Sequence, residues 1–202
     1  MALFVTLVLP AALAFWLVIH GGIRIWRSTG LATAYLASAG GISLVMFPVW
    51  HYQGWLIGLD LGFNWLTVIP GALIYLATIF LSKPIRNHLS LRTFAGIPEI
   101  ENEATNLLLE GPYSVVRHPR YTMVIAGIFG WCLVCNFSGT YILGLSATFG
   151  FYIITVLEER ELLSRFGDSY FDYQHRVPRL IPSARGIFRL YQMRNESPAP
   201  IK

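Results

Sequence analysis

Residues 121–157 read YTMVIAGIFGWCLVCNFSGTYILGLSATFGFYIITVL and contain no Asp, Glu, Lys or Arg. A helix needs about 20 apolar residues to cross a bilayer, and this stretch holds two candidate spans, residues 121–137 and 141–157. Only the Ser-Gly-Thr of residues 138–140 separates them. Because helices joined by so short a connection pack antiparallel, the stretch predicts a helical hairpin in the membrane.

The rest of the chain is also apolar. Of its 202 residues, 54% are hydrophobic and 13% charged, whereas a soluble domain carries about 25% charged residues. Three more apolar stretches, residues 3–19, 31–50 and 65–82, precede the hairpin. The sequence therefore predicts an all-α integral membrane bundle of about five transmembrane helices. Residues 54–63 are too short to cross and have Trp and Tyr around them, which predicts an interfacial connection.

The fifteen Lys and Arg residues occur in three segments: between spans one and two, between spans three and four, and after span five. Positive charge marks the cytoplasmic side, so the N-terminus is predicted outside, the C-terminus in the cytoplasm, and the number of spans odd. Arg24, the first basic residue, follows the first apolar stretch, which is therefore predicted to be a retained span and not a cleaved signal peptide. The modest net charge of +4 argues against a nucleic-acid partner, and no obligate protein partner is indicated.

A single membrane domain is predicted over residues 1–202. Three spans lie in residues 1–82, the hairpin and the polar segments lie in residues 83–182, and residues 183–202 form a tail. Within the second part, residues 99–109 are predicted to form a short helix.

After span five the chain is predicted to continue as an amphipathic helix. Gly167 is a candidate C-cap for this helix, and Asp168-Ser169 is a candidate N-cap for a second one. The apolar face of that second helix would be formed by Tyr170, Tyr173 and Val177.

Two polar clusters flank the hairpin. Glu-Gly-Pro-Tyr at 110–113 and Arg-His-Pro-Arg-Tyr at 117–121 precede span four, and Glu-Glu-Arg-Glu at 158–161 follows span five. Because both ends of a hairpin lie at one membrane surface, these residues are predicted to meet at the mouth of the bundle. Ionisable residues near a membrane are candidates for function. Charged anchors paired with carboxylates, together with interfacial tyrosines, would explain the same residue types.

Other reactive residues carry weaker signals. Cys132 and Cys135 form a C-x-x-C inside an apolar helix, where packing is the simpler interpretation. No Gly-rich motif follows a strand, and no group of residues has the spacing of a metal site. The remaining histidines are dispersed and are interpreted as interfacial or solvated: His20, His51, His88 and His175.

Taken together, the motifs resemble the isoprenylcysteine carboxyl methyltransferase superfamily, which includes phospholipid N-methyltransferases and small membrane thiol methyltransferases. The resemblance covers residues 105–182, and five spans are typical of its prokaryotic members, so a prokaryotic cell membrane is expected. Its motifs are Gly-Pro-Tyr at 111–113, Arg-His-Pro-x-Tyr at 117–121, Glu-Glu-x-x-Leu at 158–162, Phe-Gly-x-x-Tyr at 166–170, Val-Pro at 177–178 and Ile-Pro at 181–182.

This resemblance implies a membrane methyltransferase that uses S-adenosylmethionine as donor and acts on a lipophilic or small acceptor, through a carboxylate, a thiol or an amine. The residues expected to carry the chemistry are Arg117, His118 and Glu159. The residues expected to contact the donor are Thr105, Asn106, Leu107, Leu108, Tyr113, His118, Pro119, Arg120, Tyr121 and Glu158.

The chain departs from the eukaryotic carboxyl methyltransferases at two positions. Ile154 stands where those enzymes have a substrate-binding Arg, and Pro98 lies near the position of a Gln. The departure at Ile154 argues against a prenylcysteine carboxylate as the acceptor, and the one at Pro98 argues against the contact that the Gln makes in those enzymes. Two other functions are compatible with a related hairpin: a sterol-reductase type of enzyme that uses a nicotinamide cofactor, and a lipid-binding protein without enzymatic activity.

Overall fold

A computed structural model of the protein describes residues 2–87, 97–101, 107–184, 186 and 188. Throughout these residues the regular structure is helical, apart from an isolated bridge between Asp60 and Phe137. The α-helices in chain order are α1 (Ala2–Gly21), α2 (Ile23–Thr29), α3 (Leu31–His51), α4 (Gln53–Ile57), α5 (Trp65–Asn87), α6 (Ile97–Glu101), α7 (Pro119–Cys135), α8 (Ser138–Phe166) and α9 (Asp168–Arg176).

The predicted membrane bundle is confirmed. Helices α1, α3, α5 and α8 are long and apolar enough to cross a bilayer, and α7 is a shorter apolar helix of 17 residues. At 1.5 Å per residue, α7 is about 26 Å long and α8 about 43 Å, against a hydrocarbon core of about 30 Å. Helix α8 is therefore longer than the membrane requires, and its last turns carry the cluster at residues 158–161.

The hairpin of α7 and α8 turns at Asn136 and Phe137, two residues earlier than predicted. Asn136 adopts a left-handed conformation with φ of 52°, which Asn tolerates better than most residues because of its short polar side chain. Its amide nitrogen donates to the carbonyl of Gly62 at 2.7 Å, and its amide oxygen accepts from Tyr141 at 2.9 Å. These bonds hold the turn, so α8 begins at Ser138.

Helix α5 lies directly against α7 at two glycines. A Cβ atom added at Gly71 would lie 2.7 Å from the carbonyl oxygen of Gly130, and one added at Gly130 would lie 2.8 Å from that of Gly71. Small residues at such a crossing let membrane helices approach closely.

Helix α1 covers the inner face of the hairpin. Tyr121, Phe151 and Ile154 belong to the central apolar core, and Leu13 and Trp16 of α1 pack against it. The first span is therefore part of the core of the bundle. Its last turns reach the same end of the hairpin as the two polar clusters, here called the charged end.

The C-terminal segment folds back onto the charged end. Gly167, with φ of +54°, ends α8 as predicted, but it is also the N-cap of α9, which therefore begins at Asp168. The predicted apolar face is confirmed: Tyr170, Tyr173 and Val177 form a buried cluster. Leu107, Leu162 and Phe166 pack against that cluster.

The short helix predicted over residues 99–109 differs from the structure. Helix α6 spans Ile97–Glu101, residues 102–106 lie outside the described residues, and residues 107–109 are not helical. The side chain of Leu107 packs instead on the Tyr170 cluster, so tertiary contact replaces the local helical preference there.

Candidate active site

The Arg-His-Pro segment is held by backbone hydrogen bonds to the C-terminal segment. The amide of Arg117 donates to the carbonyl of Pro178 at 2.8 Å, and that of His118 donates to Arg179 at 3.1 Å. Pro119 then opens α7, a position that suits proline because its missing N–H would be unpaired there. Backbone hydrogen bonds alone therefore fix the position of this segment.

Glu159 lies at the centre of the charged end. Its Oε1 accepts a hydrogen bond from Arg117 Nε at 2.8 Å and lies 3.1 Å from His118 Nε2. Its Oε2 accepts from Arg179 Nη2 at 2.5 Å and from Gln174 Nε2 at 3.2 Å. The side chain is only 4% exposed. A buried carboxylate needs such partners to offset its desolvation, so both oxygens of Glu159 are committed to structure.

Arg117 joins the hairpin to α9. Besides Glu159, its guanidinium donates through Nη1 to the backbone carbonyls of Gln174 at 2.7 Å and Val177 at 2.5 Å. These are carbonyls at the C-terminal end of α9, where a cation is favourable. Arg117 thus closes the end of α9 and orients the carboxylate that faces His118.

Glu158 is the adjacent residue on α8, but its environment is different. One of its oxygens, Oε2, lies 3.6 Å from His118 Nδ1, and the side chain is 23% exposed. This oxygen is itself buried and has no hydrogen-bond partner among the residues that the structure describes. His118, which is 4% exposed, therefore lies between a fully bonded carboxylate and one with an oxygen that has no hydrogen-bond partner among the described residues.

Arg120 and Tyr121 form the wall beside Glu158. Arg120 Nη2 donates to the hydroxyl of Tyr121 at 2.8 Å, and Arg120 and Tyr121 both act electrostatically on Glu158. The Arg120 guanidinium also lies over the ring of Trp16, 4.4 Å from its centre, a favourable cation–π geometry. A cation and three aromatic or carboxylate groups therefore border one space.

Tyr113 lies in a 3-10 turn, Gly111–Ser114, and its carbonyl accepts a hydrogen bond from the hydroxyl of Tyr173 at 2.6 Å. Burial, followed by the negative charge of Glu158, raises the pKa of Tyr113. Burial also raises the pKa of Tyr173. Both phenols therefore stay neutral at physiological pH, and Tyr113 can donate a hydrogen bond.

Most of the predicted site residues meet at the charged end. Leu107 is packed in the Tyr170 cluster and Leu108 is 44% exposed, while Thr105 and Asn106 lie outside the described residues. The residues that the structure brings together are Tyr113, Arg117, His118, Pro119, Arg120, Tyr121, Glu158 and Glu159.

Two groups at the charged end were not predicted from the sequence. Arg179 comes from the C-terminal segment, and the pair Trp16 and His20 comes from α1. The prediction that His20 is dispersed and interfacial is wrong: it is 4% exposed and its Nδ1 lies 4.0 Å from Glu161 Oε2. The available signal was the four-residue spacing of Trp16 and His20, which puts both on one face at the end of span one.

The fold and the charged end define an integral membrane helical protein with a polar site at the end of a helical hairpin. The chain matches the family described as phospholipid methyltransferase over residues 65–169, just over half of its length. It belongs to that family. The match begins at the start of α5, so helices α1 to α4 lie outside it. This confirms the resemblance to the membrane methyltransferases.

Several relatives are also named as methyltransferases. Methanethiol S-methyltransferase 2 of Bradyrhizobium diazoefficiens is 28% identical over 162 residues, which is 76% of this chain and 56% of that protein. Methanethiol S-methyltransferase 1 of the same organism is 33% identical over 116 residues, 54% of this chain and 39% of that protein. Protein-S-isoprenylcysteine O-methyltransferase of Schizosaccharomyces pombe is 38% identical over 81 residues, 38% of this chain and 33% of that protein.

The chain thus spans between a third and just over half of the length of these curated relatives. No solved structure matches it. The names of the relatives favour a methyltransferase over the reductase and the lipid-binding alternatives.

Proposed function

We propose that the protein is a membrane-embedded methyltransferase that uses S-adenosylmethionine and transfers its methyl group to a lipophilic or small acceptor. The observation that carries this proposal is the open carboxylate oxygen of Glu158 beside His118, at the charged end of a hairpin that belongs to the methyltransferase family.

The side chains at the charged end fit the donor's chemistry. Its amino group and ribose hydroxyls donate hydrogen bonds, which Glu158 Oε2 is free to accept. Its carboxylate matches a guanidinium by charge-assisted hydrogen bonds, and Arg120 borders the same space. Its adenine ring matches the aromatic face of Tyr113.

When bound, the donor supplies a methyl group on a positively charged sulfur, and transfer requires the acceptor to approach in line. Positioning and exclusion of water then supply most of the rate acceleration. Glu159 and Arg117 hold the imidazole of His118 and tie down the C-terminal segment. A carboxylate or thiolate acceptor needs no base. An amine or thiol would lose its proton to His118, because both oxygens of Glu159 already accept hydrogen bonds.

An apolar groove between α1, α5 and α7 supports a lipophilic acceptor. Its volume is about 360 Å³ and Arg120 lies among its lining residues. Ligand pockets range from about 300 to 1,000 Å³, so the groove is large enough for a small lipophilic ligand. Other residues that line it are Phe4, Val8, Tyr75, Ile79 and Trp131.

The sidedness of the site follows from the basic residues. The charged end carries Arg117, Arg120 and Arg160, and excess positive charge marks the cytoplasmic face. The donor would therefore enter from the cytoplasm of a prokaryotic cell, and the acceptor from the bilayer.

The test is calorimetric titration of the detergent-purified protein with S-adenosylhomocysteine. We expect saturable binding near one molecule per chain. We expect Glu158→Gln to weaken this binding by at least tenfold, because the amide removes the charge and one of the two accepting oxygens. Asp172→Asn, an exposed acid on α9, is the matched control and should bind normally.

Labelled donor then identifies the acceptor among methanethiol, an S-prenylated cysteine and phosphatidylethanolamine vesicles. Absence of both binding and methyl transfer in the folded wild-type protein would overturn the proposed function. Titration with a reduced nicotinamide cofactor would then test the reductase alternative.

A further inference from the structure

The imidazole of His20 is buried without hydrogen-bond partners among the described residues. Its side chain is 1% exposed, and neither ring nitrogen has a hydrogen-bond partner among the described residues. Buried polar atoms in native proteins are almost always paired with protein or water. An imidazole at the end of a membrane helix with both nitrogens unpaired is therefore a candidate for contact with a bound molecule.

Two more unpaired oxygens lie on the same side. Glu161 Oε2 is 4.0 Å from His20 Nδ1, and Glu158 is the residue whose charge acts most strongly on His20. The Oε2 atoms of both glutamates are buried and lack hydrogen-bond partners within the part of the chain that the structure describes. Since residues three apart on a helix share a face, Glu158 and Glu161 present these oxygens from one face of α8.

Two of these side chains, His20 and Glu161, are held in position by neighbouring residues. The His20 ring stacks on Trp16, with ring centres 5.4 Å apart and planes inclined at 19°. The other oxygen of Glu161, Oε1, accepts a hydrogen bond from Arg27 and lies 3.5 Å from Arg165. These contacts orient the polar atoms without pairing them, as expected of a preorganised binding site.

The chemistry of these atoms defines the complementary group. Carboxylate oxygens only accept hydrogen bonds, and an imidazole accepts through one nitrogen when it is neutral. Glu161 faces His20 from α8, and the other charged or titratable groups that act on His20 electrostatically are Glu158, Arg120 and His118. A ligand group that donates several hydrogen bonds and is neutral or positive would satisfy all three side chains.

We propose that His20, Glu158 and Glu161 form a polar pocket that binds an ammonium group or a pair of hydroxyls of one of the two reactants, so that α1 completes the site. This inference rests on the proposed function. The bound group belongs either to the amino and ribose hydroxyl groups of the donor or to an amine-bearing acceptor, and these share the same hydrogen-bonding chemistry.

The proposal adds a helix outside the family match to the binding site. The match covers residues 65–169, whereas His20 and Trp16 belong to α1. The binding site at the charged end would thus combine α7 and α8, which lie within the family match, with α1, which lies outside it.

The test compares His20→Phe with the wild-type protein. Phenylalanine keeps an aromatic ring on Trp16 and removes both unpaired nitrogens, so the ligand-free protein should unfold at the same or a higher temperature. S-adenosylhomocysteine titration and acceptor kinetics then separate the two sources. A dissociation constant raised at least tenfold assigns the pocket to the donor. An unchanged constant with an acceptor KM raised at least tenfold, measured on phosphatidylethanolamine vesicles, assigns it to the acceptor.

His51→Phe is the matched control, because His51 is an exposed histidine at the end of α3 and should change none of these values. Glu161→Gln provides a second variant and should weaken the same step as His20→Phe. Unchanged donor affinity and acceptor KM in both variants, while the wild type binds S-adenosylhomocysteine, would overturn this inference and leave the proposed function standing. Absence of both binding and methyl transfer in the wild type would overturn both.

Discussion

At the residue scale, two neighbouring glutamates of α8 have opposite environments. Glu159 is bonded through both oxygens to Arg117, Arg179 and Gln174 and faces His118. Glu158 keeps a buried oxygen that is unpaired among the residues that the structure describes. Buried polar groups without partners cost stability and are expected at functional sites, so Glu159 is bonded into the fold and Glu158 is the one that we propose contacts the ligand.

This difference predicts that the same Glu→Gln substitution lowers stability at one position and ligand affinity at the other. Glu159→Gln should lower the free energy of unfolding by about 3–5 kcal/mol, because it leaves Arg117 and Arg179 without their buried counter-charge. Glu158→Gln should leave the thermal midpoint near that of the wild type while it weakens S-adenosylhomocysteine binding. Thermal unfolding in detergent measures the first effect, with Asp172→Asn expected to stay within about 0.5 kcal/mol of the wild type. Equal stability of the two glutamate variants would contradict this division.

At the element scale, the position of α7 depends on its crossing with α5. Gly71 and Gly130 bring the two backbones into contact, and α7 carries Arg120 and Tyr121 on its first turn. A helix of 17 residues, about 26 Å long, needs its neighbours to fix its depth in the membrane. The glycine crossing therefore positions the wall of the site as well as the bundle.

Gly71→Ala should destabilise the protein by about 1–3 kcal/mol, the usual cost of overpacking, because its new Cβ would meet the Gly130 carbonyl at 2.7 Å. Gly40→Ala is the matched control, since no atom of the described residues lies within 4 Å of a Cβ at that position of α3. It should be neutral or slightly stabilising, because alanine favours a helix by about 1 kcal/mol over glycine. The measurement is the thermal midpoint of each variant in the same detergent. A Gly71→Ala midpoint equal to that of the wild type would show that α5 and α7 are not closely packed at this crossing.

At the scale of the whole molecule, the site is assembled from distant parts of the chain. Helix α1 supplies Trp16 and His20, α7 supplies Arg120, α8 supplies the glutamates, and the C-terminal segment supplies Arg179. A ligand bound among these elements would join them, since it binds the folded protein and not the unfolded chain.

S-adenosylhomocysteine should therefore raise the thermal midpoint of the wild-type protein, with a stabilisation of about 2.7 kcal/mol at a concentration one hundred times its Kd. Glu158→Gln should show a much smaller shift at the same concentration, and Asp172→Asn the full shift. A midpoint that does not move at saturating ligand would contradict binding across these elements.

The sequence by itself determined the membrane bundle, the hairpin of α7 and α8, and the meeting of the two polar clusters at one surface. These features follow from local properties: the length of apolar stretches, the shortness of a connection, and the positions of charges between spans. Gly167 and the apolar face of α9 were predictable for the same reason, because a cap and a helical period involve neighbouring residues.

Only the tertiary structure decided how the residues at that surface divide their roles. Residue type and hydropathy do not distinguish Glu158 from Glu159, and only the family resemblance assigned them different roles. Their observed difference in hydrogen bonding arises from the rotation of α8 against α7 and the C-terminal segment. The same holds for His20, whose burial depends on how α1 crosses the hairpin. Helix rotation and crossing are set by contacts between residues far apart in the chain, and hydropathy along the sequence carries no record of them.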